Sequence, residues 1–229
     1  MNSVLEKDTT FADLLEQLGG ISPKRIRMYP PPGTATERDV VRLNDRGKGL
    51  YELVDGVLVE KIMEYRESSI ALEIGRQLGN FAKQRRSGVV AGADGMLKLA
   101  ADLVRIPDVS FVPWDQFPHR KIPREPIPKL SPKLAVEVLS EGNTEGEMAR
   151  KCREYFAAGA ELVWLVDPAS RTVRVYTNPE QWTVVTEDRQ LDGGKVLPGF
   201  ILNLSELFAD LAPSPPRRRR RMNRTKGRS

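Results

Sequence analysis

Leu134-Ala135-Val136-Glu137-Val138-Leu139, the turn Ser140 to Asn143, a helical pattern from Thr144 to Ala157, and then Leu162-Val163-Trp164-Leu165-Val166 together decide the fold. The two apolar runs are short and rich in β-branched and aromatic side chains, so both read as buried strands. Ala158-Gly159 supplies the helix stop between them. A strand, helix, strand order in so few residues implies a right-handed parallel crossover. Glu137 interrupts the first run with apolar neighbours on both sides, where an unpaired carboxylate would cost several kcal/mol or remain protonated.

Upstream, Tyr51-Glu52-Leu53-Val54 and Val57-Leu58-Val59-Glu60 read as a hairpin turned at Asp55-Gly56. Ile70, Leu72, Ile74, Leu78 and Phe81 predict a helix from Ser68 to Arg85, with Lys83, Arg85 and Arg86 at its end. Short strands follow at Gly88 to Ala91, Gly95 to Leu99 and Val109 to Val112, and a proline-rich connection runs from Pro118 to Pro132. Downstream, Thr172 to Tyr176 and Trp182 to Thr186 alternate like antiparallel strands, and Leu204 to Leu211 is a closing helix. The expected architecture is α/β, a mixed sheet with helices on its faces. Thr10 to Leu18 predicts a separate helix stopped by Gly19-Gly20. The chain divides into a helix and linker at 1–35, one compact domain at 36–212, and a tail at 213–229 predicted to be disordered.

With 229 residues, 40% apolar and 29% charged, the chain has the composition of a globular protein with one main core. Its net charge of +5 belongs to the tail: 213–229 holds eight basic residues and no acid, and the remainder carries 28 basic against 31 acidic residues, a net −3. A single cysteine, Cys152, and a single histidine, His119, exclude internal disulfides and Cys/His zinc sites by count. They lie in a helical pattern and a proline-rich loop respectively, with no orienting partner evident for a nucleophilic pair. No segment is long and apolar enough for a signal peptide or a membrane span, so a cytoplasmic location is expected.

Chemistry gathers at Glu52, Asp108, Glu137 and Lys151, three acids beside or within apolar runs and a lysine on a predicted helix. A divalent cation held by carboxylates, with the lysine for an anionic substrate, accounts for all four together. Taken singly they have plainer readings: Asp108 after Pro107 as a turn cap, and Lys151 as an exposed helix lysine. Asp55 reads as a turn former, Asp167 as a strand end, and Trp164 and Tyr155 as core.

These residues sit in stretches that resemble the Uma-two type endonucleases, a branch of the PD-(D/E)XK nuclease superfamily. The resemblance runs through Tyr51-Glu52-Leu53-Val54-Asp55-Gly56, Arg105-Ile106-Pro107-Asp108-Val109-Ser110-Phe111-Val112, Ala135-Val136-Glu137-Val138-Leu139-Ser140, Lys151 with Tyr155, and Val163-Trp164-Leu165-Val166-Asp167-Pro168. It implies a restriction-endonuclease-like core and Mg2+ or Mn2+ held by Asp108 and Glu137, with the backbone carbonyl of Val138 as a further ligand. It also implies a catalytic role for Lys151, because Leu139 stands where the superfamily's strand lysine would be. Glu52 matches the family's first acid, and Glu67 is the alternative, since that acid often comes from the first core helix. A homodimer is a further expectation of the resemblance.

The implied activity is metal-dependent hydrolysis of phosphodiesters in DNA. A non-cleaving nucleic-acid-binding or assembly module is the alternative, motivated by Leu139, and hydrolysis of a small phosphate ester is the third reading. Arg217, Arg218, Arg219, Arg220 and Arg221 read as phosphate-backbone contacts, as a solvated arm, or as the product of an extended reading frame.

Overall fold

The computed structural model describes residues 9–47 and 49–212. At its centre is a six-stranded sheet ordered β11-β10-β9-β8-β7-β4, made of Trp182–Thr186, Thr172–Tyr176, Leu162–Asp167, Leu134–Val138, Val109–Pro113 and Gly88–Ala91. Only β8 and β9 pair in parallel, with Glu137 opposite Leu165, and α4 (Glu145–Ala158) connects them. The other neighbours are antiparallel, so the sheet is mixed, as its sequence pattern implies.

Alternation along β8 and β9 gives the sheet two differently occupied faces. Val136, Val138, Trp164 and Val166 pack beneath Ile70, Ile74 and Leu78 of α3 (Tyr65–Arg85). Ala135, Val163 and Leu165 meet Met148, Cys152 and Tyr155 of α4 on the other side. Thr144 caps α4 by accepting the Glu147 amide, and Gly159 ends it in the left-handed region at φ 108°.

A second sheet, antiparallel throughout, is ordered β1-β3-β2-β6-β5, from Ile26–Arg27, Val57–Lys61, Leu50–Val54, Leu103–Arg105 and Leu97–Ala100. Asp55 and Gly56 both have positive φ, as a two-residue hairpin turn demands. Gly56 also abuts Gly33, where an added Cβ would lie 2.6 Å from backbone carbon. A two-stranded ribbon, β12 (Gln190–Asp192) and β13 (Ile201–Asn203), and α5 (Leu204–Phe208) close the fold.

Several elements depart from the sequence reading. The helix expected from Ser68 starts at Tyr65, three residues earlier, because its first turn, Tyr65-Arg66-Glu67-Ser68, carries no aliphatic residue to mark the apolar period. The strand expected from Gly95 begins at Leu97, and the closing helix ends at Phe208 rather than Leu211. Helix α2 (Glu37–Asp45) was not expected, although Thr36 and Asp39 form a capping box and Val40 and Leu43 are buried. Strands β6, β12 and β13 are three residues each, too short for periodicity to show.

The opening segment is a helix, α1 (Phe11–Gln17), and a connector that together fasten onto the rest. Leu14, Leu18, Ile21 and Ile26 pack against Val54, Val57 and Val59. The Thr144 hydroxyl donates to the Gly19 carbonyl at 2.6 Å. Arg25 forms a two-pronged pair with Glu147, at 2.9 and 2.8 Å.

Candidate active site

Arg105 ends β6 in one sheet and Asp108 immediately precedes β7 in the other, so Ile106-Pro107-Asp108 bridges the two sheets, and the candidate site lies at that junction. From the second sheet, pairing of Glu52 with Val59 and of Leu53 with Val104 puts Glu52, Lys61 and Arg105 on one face. From the six-stranded sheet, pairing of Val109 with Val136 carries Asp108 to a position across from Glu137. Helix α4 presents Glu147, Lys151 and Tyr155 on one side, four residues apart. These charged side chains are buried, Glu52 completely.

Each acid is met by a cation. Lys151 Nζ lies 3.1 and 3.0 Å from the two oxygens of Glu137 and 3.4 Å from Glu52. Arg105 donates to Glu52 at 2.6 Å and to Glu154 at 2.7 Å, while the Ile106 amide donates to Glu52 at 3.0 Å. Lys61 Nζ is 2.7 Å from Asp108 Oδ1, and Asp108 Oδ2 accepts the Val138 amide at 2.6 Å. The Tyr155 hydroxyl donates to Glu137 Oε1 at 2.5 Å.

Burial works against ionisation of Glu52, but Lys151, Arg105 and Lys61 together outweigh it and hold its carboxyl down at about 2. At Glu137 the balance reverses. Burial, reinforced by the neighbouring charges of Asp108 and Glu52, raises its carboxyl above the usual range despite Lys151 and Lys61. Burial disfavours charge on Lys151, yet Glu137 and Glu52 overcome this and raise its affinity for the proton, so it remains an ammonium. Burial, then Glu137, drives the Tyr155 hydroxyl well above its ordinary value and keeps it a donor.

Among the described residues no three His, Cys, Asp or Glu side chains form a ready-made metal cage. Magnesium does not require one, since it is commonly held by one or two carboxylates and completed by water and substrate phosphate. Asp108 and Glu137 fit that donor set: Asp108, just ahead of β7, lies across from Glu137 of β8, and the charge of Asp108 makes Glu137 harder to ionise, a repulsion that a cation between them would relieve.

Four of the expected site residues, Glu52, Asp108, Glu137 and Lys151, therefore come together, and Val138 meets Asp108 through its backbone amide rather than through the carbonyl expected as a ligand. The alternative first acid, Glu67, is in the first turn of α3. Arg66 beside it donates to the Pro168 carbonyl just past β9, placing Glu67 near the sheet end where Asp108 and Glu137 lie. Its Oε2 is buried and has no hydrogen-bond partner. Arg217 to Arg221 lie outside the described residues.

Sequence reasoning missed Lys61, Arg105 and the Arg25–Glu147 pair. Lys61 had a signal, since it follows Val57 and Val59 at the strand period, a lysine on a buried face. Tyr155 is core, as expected, but its hydroxyl also serves Glu137.

The mixed sheet, with one acid on β8, another just ahead of β7 and a lysine on the crossover helix, places this chain among restriction-endonuclease-like α/β proteins. The chain belongs to the Uma2 family, described as "Putative restriction endonuclease", whose model matches residues 38–205. Its fold is similar to the crystal structure of a putative nuclease belonging to DUF820 from Anabaena variabilis, with a TM-score of 0.63 and 21% identity, covering 71% of this chain and 91% of that one. No curated protein matches the chain. No helix among the described residues is long and apolar enough to cross a membrane.

Proposed function

We propose that this protein is a metal-dependent endonuclease that hydrolyses phosphodiester bonds in DNA, with Mg2+ or Mn2+ held by Asp108, Glu137 and the Val138 carbonyl. The observation that carries the reading is the meeting of Asp108, just ahead of β7, with Glu137 of the neighbouring β8, and Lys151 at hydrogen-bond distance from Glu137. The bound ion would supply Lewis acidity toward the phosphate and ease ionisation of the attacking water. Lys151, kept protonated by its two acids, acts as a hydrogen-bond donor and fixed positive charge for the phosphate in the transition state, rather than as the base. Glu52 positions it, with its oxygens already engaged by Arg105 and Ile106. Glu67, with a buried oxygen free of partners, is the better candidate for a further acid at the ion. The tail arginines supply sequence-independent attraction to the nucleic-acid backbone.

A plasmid nicking assay tests this reading. Nicking is expected only with Mg2+ or Mn2+, and neither Asp108→Ala nor Glu137→Ala should retain it. The pairing of Asp108, Glu52 and Glu137 each with a lysine or arginine, together with Leu139, favours a second reading, a nucleic-acid-binding module that does not cleave. DNA binding with no nicking under any divalent ion would decide for the module.

A further inference from the structure

The Asp108 carboxylate has one oxygen committed to the backbone and one held by a side chain. Oδ2 accepts the Val138 amide at 2.6 Å, a bond within the frame of the sheet. Oδ1 faces Lys61 Nζ at 2.7 Å, with both side chains 5% exposed. The ammonium donates also to the Ile106 carbonyl, so it is anchored at the junction of the two sheets. Lys61 thus occupies the oxygen of Asp108 that is not tied to the sheet.

Resting on the metal-dependent reading above, we infer that Lys61 is a built-in counter-ion of the metal-free site, which a divalent cation must displace from Asp108 in order to bind. Two like charges on one buried carboxylate oxygen repel strongly where water cannot screen them. The two lysines differ in what they can give up. Lys151 keeps Glu52 as a second acid when Glu137 turns to an ion. The only acid in ion-pair contact with Lys61 among the described residues is Asp108, with Glu52 and Glu137 acting on it at longer range, so binding there costs Lys61 its one close pairing. The arrangement keeps the buried acids balanced before metal arrives and makes the apparent metal affinity a difference between two cations competing for Asp108. Lys61 is a positioning residue in this scheme, acting through Asp108.

The effect is reciprocal: whatever factor Lys61 takes from metal affinity, metal takes from the hold on Lys61. Mn2+ binding to the full-length protein is measured by calorimetry for the wild type, Lys61→Met and Lys61→Arg. Lys61→Met should bind about fivefold or more tightly, within the usual range of coupling between sites, while Lys61→Arg should show no such gain. In the wild type, reductive methylation of Lys61, followed by mass spectrometry, should accelerate by a similar factor at saturating Mg2+. Lys133, which precedes β8 at its other end, should not change. The wild-type measurement decides the matter should Lys61→Met fail to fold. Unchanged or weaker Mn2+ affinity in Lys61→Met, or unchanged methylation at saturating Mg2+, overturns the inference and leaves the nuclease reading standing. Mn2+ binding by neither wild type nor variant overturns both, and binding by Lys61→Met alone supports the inference in its strongest form.

Discussion

Lys151 addresses both oxygens of Glu137 at nearly equal distance, 3.1 and 3.0 Å, from the middle of the helix that packs on the strand carrying Glu137. Removing the ammonium leaves a buried carboxylate with the Tyr155 hydroxyl as its remaining close donor. Lys151→Met should therefore destabilise the protein by about 3–5 kcal/mol in urea denaturation at neutral pH. Adding Glu137→Gln to it should recover more than half of that loss, since no charge is then stranded. A double variant no more stable than Lys151→Met would show that the pair is not energetically coupled.

The site acids shape acid stability in opposite directions. Glu52 is lowered from 4.5 to about 2, so its stabilisation is complete above about 4.5 and is lost as pH falls toward 2. Glu137 is raised, so the folded state takes up a proton before the unfolded chain does and gains relative stability as pH falls from neutrality toward 4.5. Urea midpoints should be level or rising down to about pH 4.5 and then drop steeply. In Glu52→Gln the drop should be shallower from a lower starting point, and an identical acid slope would assign the transition to other carboxylates.

Gly19 and Gly20 offer a controlled comparison of the N-terminal fastening. Both have positive φ, but a Cβ at Gly19 would lie 2.4 Å from the Glu147 amide nitrogen, while one at Gly20 meets nothing within 4 Å. Gly20→Ala should cost about 1 kcal/mol from backbone strain alone. Gly19→Ala should cost at least about 2 kcal/mol and, like Arg25→Gln, should expose residues 9–27 to limited proteolysis. Equal thermal shifts for the two glycine variants would contradict the close contact with α4.

Cys152 is fully buried, and burial followed by the nearby charge of Glu137 pushes its thiol up to about 12. The native protein should react with a thiol reagent at neutral pH only as fast as it opens, and immediately once unfolded. Rapid stoichiometric labelling of the native protein would refute this placement.

Deleting 213–229 removes eight cations and should weaken DNA binding at low salt. The salt slope should flatten by up to about 0.9 for each lost phosphate contact. Binding by the truncated protein that equals the wild type at low salt would remove the tail from the nucleic-acid interface.

The elements with strong local signals were legible in the chain itself. The runs at Leu134 and Leu162, the Asp55-Gly56 turn and the long helix over Ile70 to Phe81 declare themselves because their apolar spacing spans several residues. The acids at 52, 108 and 137 stood out for a related reason, as charges beside or within those runs. What surrounds them was barely legible: Lys61 carries only its strand-period position after Val57 and Val59, and Arg105 and Arg25 are ordinary basic residues until two sheets and a helix bring them against the acids.

The sequence alone determined the mixed α/β class and the crossover helix and singled out the acids at 52, 108 and 137, since strand and helix periods and the cost of burying charge act locally. Only the tertiary structure decided which cation answers which acid: Lys61 to Asp108, Lys151 to Glu137, Arg105 to Glu52 and Arg25 to Glu147. Those pairings depend on the register between strands and on how two sheets meet at Ile106-Pro107, and Coulomb attraction between side chains up to 122 positions apart leaves no pattern along the chain.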